Sequence, residues 1–231
     1  MDTSCEKITH PYSCLFSWRV DEFSPRELNE LNFCLSVLSK PTESEDWEIL
    51  IHLKLSKRRQ KLADGSDKTA EIKLKRDGPS LYFVRMYDCN KCCVIPKIAK
   101  ELTEVPNVIV GDPGIEKILT NSFELKNRST WRTIGKRYHI GPFSVAVGVM
   151  EHGHNSTQPV MEIICLESND RVNLNEIFQQ MFEVARNLSP TKWKPGLKSY
   201  HNSFHYCNDN KDAFTIDDRG LQWISATESG E

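Results

Sequence analysis

Residues 131–150 read WRTIGKRYHIGPFSVAVGVM, and after a polar loop residues 158–167 read QPVMEIICLE. Phe143, Val145 and Val147 alternate with small or polar residues, and Met161, Ile163 and Cys165 alternate with Glu162 and Ile164, so the two stretches read as a β-hairpin. A helix is expected next. Asn173 is a good N-cap with Glu176 three residues on, and Leu174, Ile177, Phe178, Met181, Phe182 and Ala185 share one helical face. A strand pair feeding a long amphipathic helix is a scaffold. None of its inward positions carries a nucleophile, an acid pair or a phosphate loop.

Upstream, Cys14, Phe16, Trp18 and Val20 alternate as a strand, and Ser24, Pro25 and Glu27 supply N-cap, first-turn proline and capping-box acid for a helix with the stripe Leu28, Leu31, Leu35 and Leu38. Trp47, Ile49, Ile51, Leu53 and Leu55 form the cleanest period-two run, with Glu48, His52 and Lys54 opposite. A polar loop, KRRQKLADGSDK, leads to a strand holding Ala70, Ile72 and Leu74, and Asp77, Gly78 and Pro79 mark a turn. Leu81 to Tyr87, Cys92 to Ile95 and Val108 to Val110 read as strands, and Asp112 with Pro113 opens a helix carrying Ile115, Ile118, Leu119 and Phe123. Many strands joined by short turns, with few helices, give an α+β class: an antiparallel, β-barrel-like sheet flanked by a few amphipathic helices. We expect a single domain over residues 1–188. From Ser189 the helical pattern stops, and residues 189–231 read as an extension, docked or partly disordered, whose Tyr200, Phe204, Tyr206, Phe214, Leu221 and Trp223 suit it to docking on the domain or on a partner.

The 231 residues are 39% hydrophobic and 27% charged with formal net charge −2, which argues against a general nucleic-acid binder. The start, MDTSCEKITHPYS, lacks a secretory pattern, and no apolar run approaches membrane-spanning length, so the chain reads as intracellular with no membrane contact. Its eight cysteines are then reduced thiols, with Cys14, Cys34 and Cys165 acting as small hydrophobes. The sequons at Asn127, Asn155 and Asn187 should stay unmodified.

Cys89 and Cys92, with Cys93 beside them, have the spacing of half a zinc site. The remaining candidates, His201, His205 and Cys207 or His152 and His154, complete no recognised module, so a turn with idle thiols is the better reading. The basic run Lys57, Arg58, Arg59, Lys61 lacks interleaved aromatics and reads as a solvated loop, and GDPG at Gly111 to Gly114 is a helix start without the spacing of a nucleotide loop. No catalytic, cofactor-binding or metal-binding residue is nominated.

Residues 108–150, VIVGDPGIEKILTNSFELKNRSTWRTIGKRYHIGPFSVAVGVM, resemble the central part of the Mediator subunit 20 family, also known as the TRF-proximal proteins. The resemblance lies in the strand and aspartate at Val108 to Asp112, the helix from Ile115 to Phe123, the G-x-R-Y of Gly135, Arg137 and Tyr138, and the F-x-V-x-V-G of Phe143, Val145, Val147 and Gly148. SLYFVRMYD with CCVI upstream, and Val160 to Ile164 with the Asn173 helix downstream, are similar as well, so most of residues 80–188 is covered. The loop from Lys57 to Asp67 and the tail after Ser189 look longer than in that family. Mediator subunit 18 shares the barrel and the order of elements, and the spacing of Arg137, Tyr138 and Phe143 favours subunit 20. The resemblance implies a barrel-like, non-catalytic head-module subunit in the nucleus. It would pair with subunit 18 and through it with subunit 8, act as a coregulator scaffold for RNA polymerase II, and use no cofactor and no direct nucleic-acid contact.

The competing class is an enzyme, because the Mediator barrels resemble triphosphate tunnel hydrolases, whose strands point Glu, Lys and Arg into the lumen. Glu71, Lys73 and Lys75 alternate like one such wall. A second wall is missing, since Glu162 shares its face with Ile164 and Leu166.

Overall fold

The computed structural model of the protein describes residues 11–18, 24–39, 44–56, 80–97, 106–153, 156–166, 174–200 and 214–228. Its strands are β1 (Ser13–Trp18), β2 (Glu45–Ser56), β3 (Ser80–Met86), β4 (Lys91–Pro96), β5 (Ile109–Gly111), β6 (Leu125–Ile140), β7 (Phe143–His152), β8 (Ser156–Cys165) and β9 (Leu197–Ser199). Its helices are α1 (Pro25–Leu38), α2 (Gly114–Ser122), α3 (Leu174–Leu188) and α4 (Ile216–Glu228). The strands form one nine-stranded antiparallel sheet in the order β5-β4-β3-β2-β6-β7-β8-β1-β9. Among the described residues the sheet is not closed. It curls, because α4 touches β3, β4 and β5 at one end of that order and β1 near the other.

Strand alternation sorts the side chains onto two faces, and each face has its own cover. Inward go Leu15, Trp47, Ile49, Ile51, Leu53, Val84, Met86, Cys93, Trp131, Ala146 and Val160, which pack with Trp223 and Ile224 of α4. Outward at one end go Cys14, Phe16, Trp18, Val145, Val147, Met161 and Ile163, which α1 and α3 cover through Leu31, Leu35, Ile177, Met181 and Ala185. Outward at the other end, Phe83, Cys92, Val94 and Leu125 meet Ile115 and Leu119 of α2. Strand β6 ties these layers together, with Leu125, Trp131 and Tyr138 each in a different one. Its Tyr138 hydroxyl donates to Asn32 Oδ1 of α1 at 3.0 Å.

The expected hairpin is β7–β8, with Val145 opposite Ile163, and Asn173, the expected cap, lies outside the described residues. The expected strand from Ala70 to Leu74, with Glu71, Lys73 and Lys75, the turn at Asp77, Gly78 and Pro79, and the basic run from Lys57 to Lys61 also lie outside them. Strand β6 begins before Trp131, because its first residues continue the ladder with β2 as far as Ser56 opposite Leu125. Helix α1 starts at Pro25 as its sequence demands, but among the described residues Ser24 makes no side-chain capping bond, and Glu27 pairs with Lys192 at 3.0 Å. Its stripe ends early: Leu31 and Leu35 are buried, whereas Leu38 is exposed where α1 overhangs Ile140 and Phe143. On α2, Ile118 and Phe123 are exposed, and the buried position facing the sheet is Glu116.

Glu116 is buried because the outer face beneath α2 is cationic there. His52 Nδ1, Lys54 Nζ and Arg85 reach its carboxylate at 2.6, 2.8 and 2.9 Å. Burial would raise the Glu116 carboxyl, but the hydrogen bonds from His52 and Lys54 outweigh it and bring it down to about 2.

Gly135 of β6 and Gly148 of β7 face each other across the ladder. A Cβ on either would collide with backbone atoms of the opposite strand. The strands therefore approach at the centre of the sheet more closely than any side chain permits. Gly148→Ala is expected to lower stability by about 1–3 kcal/mol, read as an earlier urea midpoint. Gly114→Ala, where a Cβ meets nothing within 4 Å, should leave the midpoint unchanged within about 0.5 kcal/mol.

Candidate functional site

Helix α4 is where the concave face of the sheet acquires its polar groups. Thr215 precedes it, and the Thr215 backbone N–H and hydroxyl donate to Asp218 Oδ2 at 2.8 and 2.7 Å. That carboxylate three residues on is the reach-back half of a capping box. One turn into the helix, Arg219 is fully buried, and its guanidinium is read from both edges. Nε donates to Glu162 Oε1 at 2.6 Å and NH2 to Glu162 Oε2 at 2.7 Å. NH1 donates to Asp88 Oδ1 at 3.1 Å and NH2 to Asp88 Oδ2 at 2.6 Å. From β6, Arg137 closes the cluster at 2.8 Å from Asp88 and 3.3 Å from Glu162.

The cluster holds two carboxylates and two guanidiniums, which balance. Burial would raise the Asp88 carboxyl, yet Arg219 and Arg137 hold it well below the usual carboxylate range. Burial would lower the Arg219 guanidinium, yet Glu162 and Asp88 hold it well above its ordinary value. Glu162 also accepts a longer contact from Trp223 Nε1, at 3.4 Å.

The rest of α4 is fitted to the sheet. Gly220 lies against β4, where a Cβ would stand 3.0 Å from Cβ and Sγ of Cys93. Trp223 packs on Trp47 with ring centroids 5.7 Å apart. Gln222 accepts from the Leu15 N–H at 3.0 Å and donates to the Ser13 carbonyl at 2.8 Å. That part of β1 lies beyond its pairing with β9, which covers Phe16 to Trp18, so a side-chain amide completes the strand edge. Tyr200 joins in: its N–H donates to the Leu15 carbonyl at 2.9 Å, and its hydroxyl lies 2.8 Å from Ser17 Oγ.

Several expectations change here. The helical pattern does not stop at Ser189, because residues 216–228 form α4. Tyr200 and Trp223 are buried against the sheet, while Phe204 and Tyr206 lie outside the described residues. Glu162 is inward, as its place in the alternation requires, but its companion there is a charge cluster. Cys92 points outward to the α2 layer and Cys93 inward to α4, because neighbouring strand positions face opposite ways. Cys89 packs on the inner side as well, so Cys89 and Cys92 do not share a face as a two-residue knuckle requires. Burial, with Glu116 nearby, pushes the Cys92 thiol up to about 12, and burial also raises Cys89 and Cys93, which keeps all three protonated. Among the described residues no group of three His, Cys, Asp or Glu side chains is placed to hold a metal, and His154, His201, His205 and Cys207 lie outside them. Cys34 is exposed, because it falls on the outer side of α1. No helix among the described residues is long and apolar enough to cross a membrane.

No protein-family model matches the chain, and no curated protein matches it. Among solved structures, it is similar to the PH1012 protein of Pyrococcus horikoshii, with 12% identity and TM-score 0.41 over 79% of this chain and 93% of that one. It is similar to the Schizosaccharomyces pombe Mediator head module, with 7% identity and TM-score 0.41 over 77% and 94%. It is also similar to the S. pombe Pct1 RNA triphosphatase, with 9% identity and TM-score 0.36 over 77% and 84%.

Arg219→Ala leaves the buried Glu162 and the partly exposed Asp88 facing one guanidinium, and removing one partner of a buried pair such as Arg219 and Glu162 costs about 3–5 kcal/mol. The expected readout is a matching loss in urea unfolding followed by tryptophan fluorescence, since Trp223 and Trp47 report α4 docking. A pH dependence follows as well. Asp88 and Glu116 are both depressed in the folded chain, so their contributions are complete above their unfolded values, about 4, and are lost as pH falls below them. Urea midpoints should stay level from pH 7 to about 5 and then drop, with a shallower acid slope in Glu116→Gln.

Proposed function

We propose that this chain is a non-catalytic scaffold subunit of the Mediator head module, of the subunit 20 type. It would serve in the nucleus as a coregulator of RNA polymerase II transcription, in a heteromeric assembly with subunit 18 and, through it, subunit 8. The observation that carries the scaffold reading is the filling of the concave face. Where a strand-built hydrolase keeps an open lumen for triphosphate and metal, this chain lodges α4, and Glu162 and Asp88 are bound to arginines.

The Mediator part of the reading is supported by the sequence resemblance over residues 80–188 and by what its fixed residues do. Gly135 and Gly148 permit the close strand pairing, Arg137 braces Glu162 and Asp88, and Tyr138 pins α1. These are architectural tasks, of the kind a shared scaffold retains. Apolar area for association remains on α1, where Phe33, Val37 and Leu38 are exposed.

A second reading, metal-dependent triphosphate hydrolysis, is favoured by the same Glu162 and Arg137, which put charge on the concave face. Co-expression with subunit 18 and gel filtration at low and high salt separates the two. A complex that co-elutes at both ionic strengths is expected, because apolar burial is not screened, and separate elution at both would remove the Mediator assignment. Phosphate release from a nucleoside triphosphate with magnesium or manganese should be absent. Release that Glu162→Gln abolishes would replace the scaffold reading with the hydrolase.

A further inference from the structure

We propose that the concave face of the sheet carries a binding site for one alkylguanidinium group, built from Asp88, Glu162 and Arg137, which Arg219 occupies but does not create. The cradle is set by the sheet. Glu162 stands in the middle of β8, in register with Leu15 of β1 on one side and Ala146 of β7 on the other. Asp88 sits in the turn between β3 and β4, where its Oδ1 accepts the Cys89 N–H at 3.0 Å. Arg137, from β6, spans the two carboxylates at 2.8 and 3.3 Å. None of these placements uses an atom of α4.

The geometry selects a guanidinium over other cations. Glu162 takes one edge of the plane through Nε and NH2, and Asp88 takes the other through NH1 and NH2. Paired forks of this kind fit a planar group with donors on both edges, whereas an ammonium supplies a point charge. Charge requires the guest to be a cation: without Arg219 the cradle holds two carboxylates against one guanidinium, an excess of one negative charge, and the forks then choose guanidinium among cations. The inference is independent of the proposed function, because a scaffold or an enzyme could equally hold its last helix by such a site.

Arg219→Ala in the full-length chain opens the cradle and leaves a void shaped like the atoms beyond Cβ, which ethylguanidinium reproduces. The experiment follows thermal unfolding of wild type and variant in millimolar ethylguanidinium, ethylammonium and ethylurea, the last being planar but neutral. The expected result is a saturable rise in the variant's midpoint with ethylguanidinium alone and no rise in wild type. Equal response to ethylammonium, or none to any of the three, would overturn the proposal. If Arg219→Ala does not fold alone, refolding yield with each compound gives the same decision: recovery with ethylguanidinium only supports the site, and any other pattern overturns it. Arg219→Lys is the second variant, since it keeps the charge and loses the forks. A Lys variant as stable as wild type would show that charge alone holds α4 and would also overturn the proposal.

Discussion

The charged quartet of Arg219, Glu162, Arg137 and Asp88, the first three buried and Asp88 at the rim, is the constraint on which the placing of α4 turns. Glu162 comes from β8, Arg137 from β6 and Asp88 from the β3–β4 turn, so the sheet brings these three together and Arg219 of α4 must meet them, which fixes how α4 sits in the curled sheet. Such a cluster does not have to be the main source of stability. Desolvating buried charges costs so much that a well-packed apolar substitute is often as stable, whereas an incomplete cluster is heavily penalised. The quartet therefore acts as a positional lock. Affinity for α4 comes from apolar burial, where one fully buried tryptophan contributes about 4–6 kcal/mol at about 25 cal/mol per Å². Trp223 against Trp47 supplies that contact, and Arg219 decides in which register it is made.

With α4 in place, the sheet has two working faces. An antiparallel sheet with water on one side shows plain alternation, but here α1, α3 and α2 cover most of the outer face as well. Between them the outer surface of β2 and β6 stays open and polar, with Glu48 pairing Arg132 and Asp46 pairing Lys136 across the strands. The same logic of filled gaps operates at the edge of β1, which Gln222 and Tyr200 complete with groups that are not strands. A curled sheet left open is stable here because its own C-terminal segment supplies both the plug and the missing edge partners.

Tertiary neighbours decide what several local patterns become. Cys89 and Cys92 have the spacing of half a metal site yet read better as a turn with idle thiols, and the strand's alternation sends Cys92 and Cys93 to opposite faces. Glu27 looks like a capping-box acid and instead pairs with Lys192, because a tertiary neighbour competes with the local bond. Glu116 interrupts the apolar stripe of α2, yet it is the residue that α2 buries, since the sheet beneath presents His52, Lys54 and Arg85. At Glu27 and Glu116 a longer-range partner overrides the local preference.

The sequence by itself determined the α+β class, the antiparallel hairpins and the ends of α1 and α2, because period-two alternation, proline and turn residues act over a few neighbours. It also carried a signal for α4 in Thr215 and Asp218, a capping pair in a stretch whose helical character is masked by buried Arg219, Gly220 and Gln222. Such residues blur the apolar stripe by which a helix is recognised. Only the tertiary structure decided that this segment lies inside the sheet, that Glu162 faces an arginine far along the chain, and that the concave face is filled. Those outcomes depend on which distant charges can satisfy one another once water is removed, and alternation along a strand says which face a residue takes but not what meets it there.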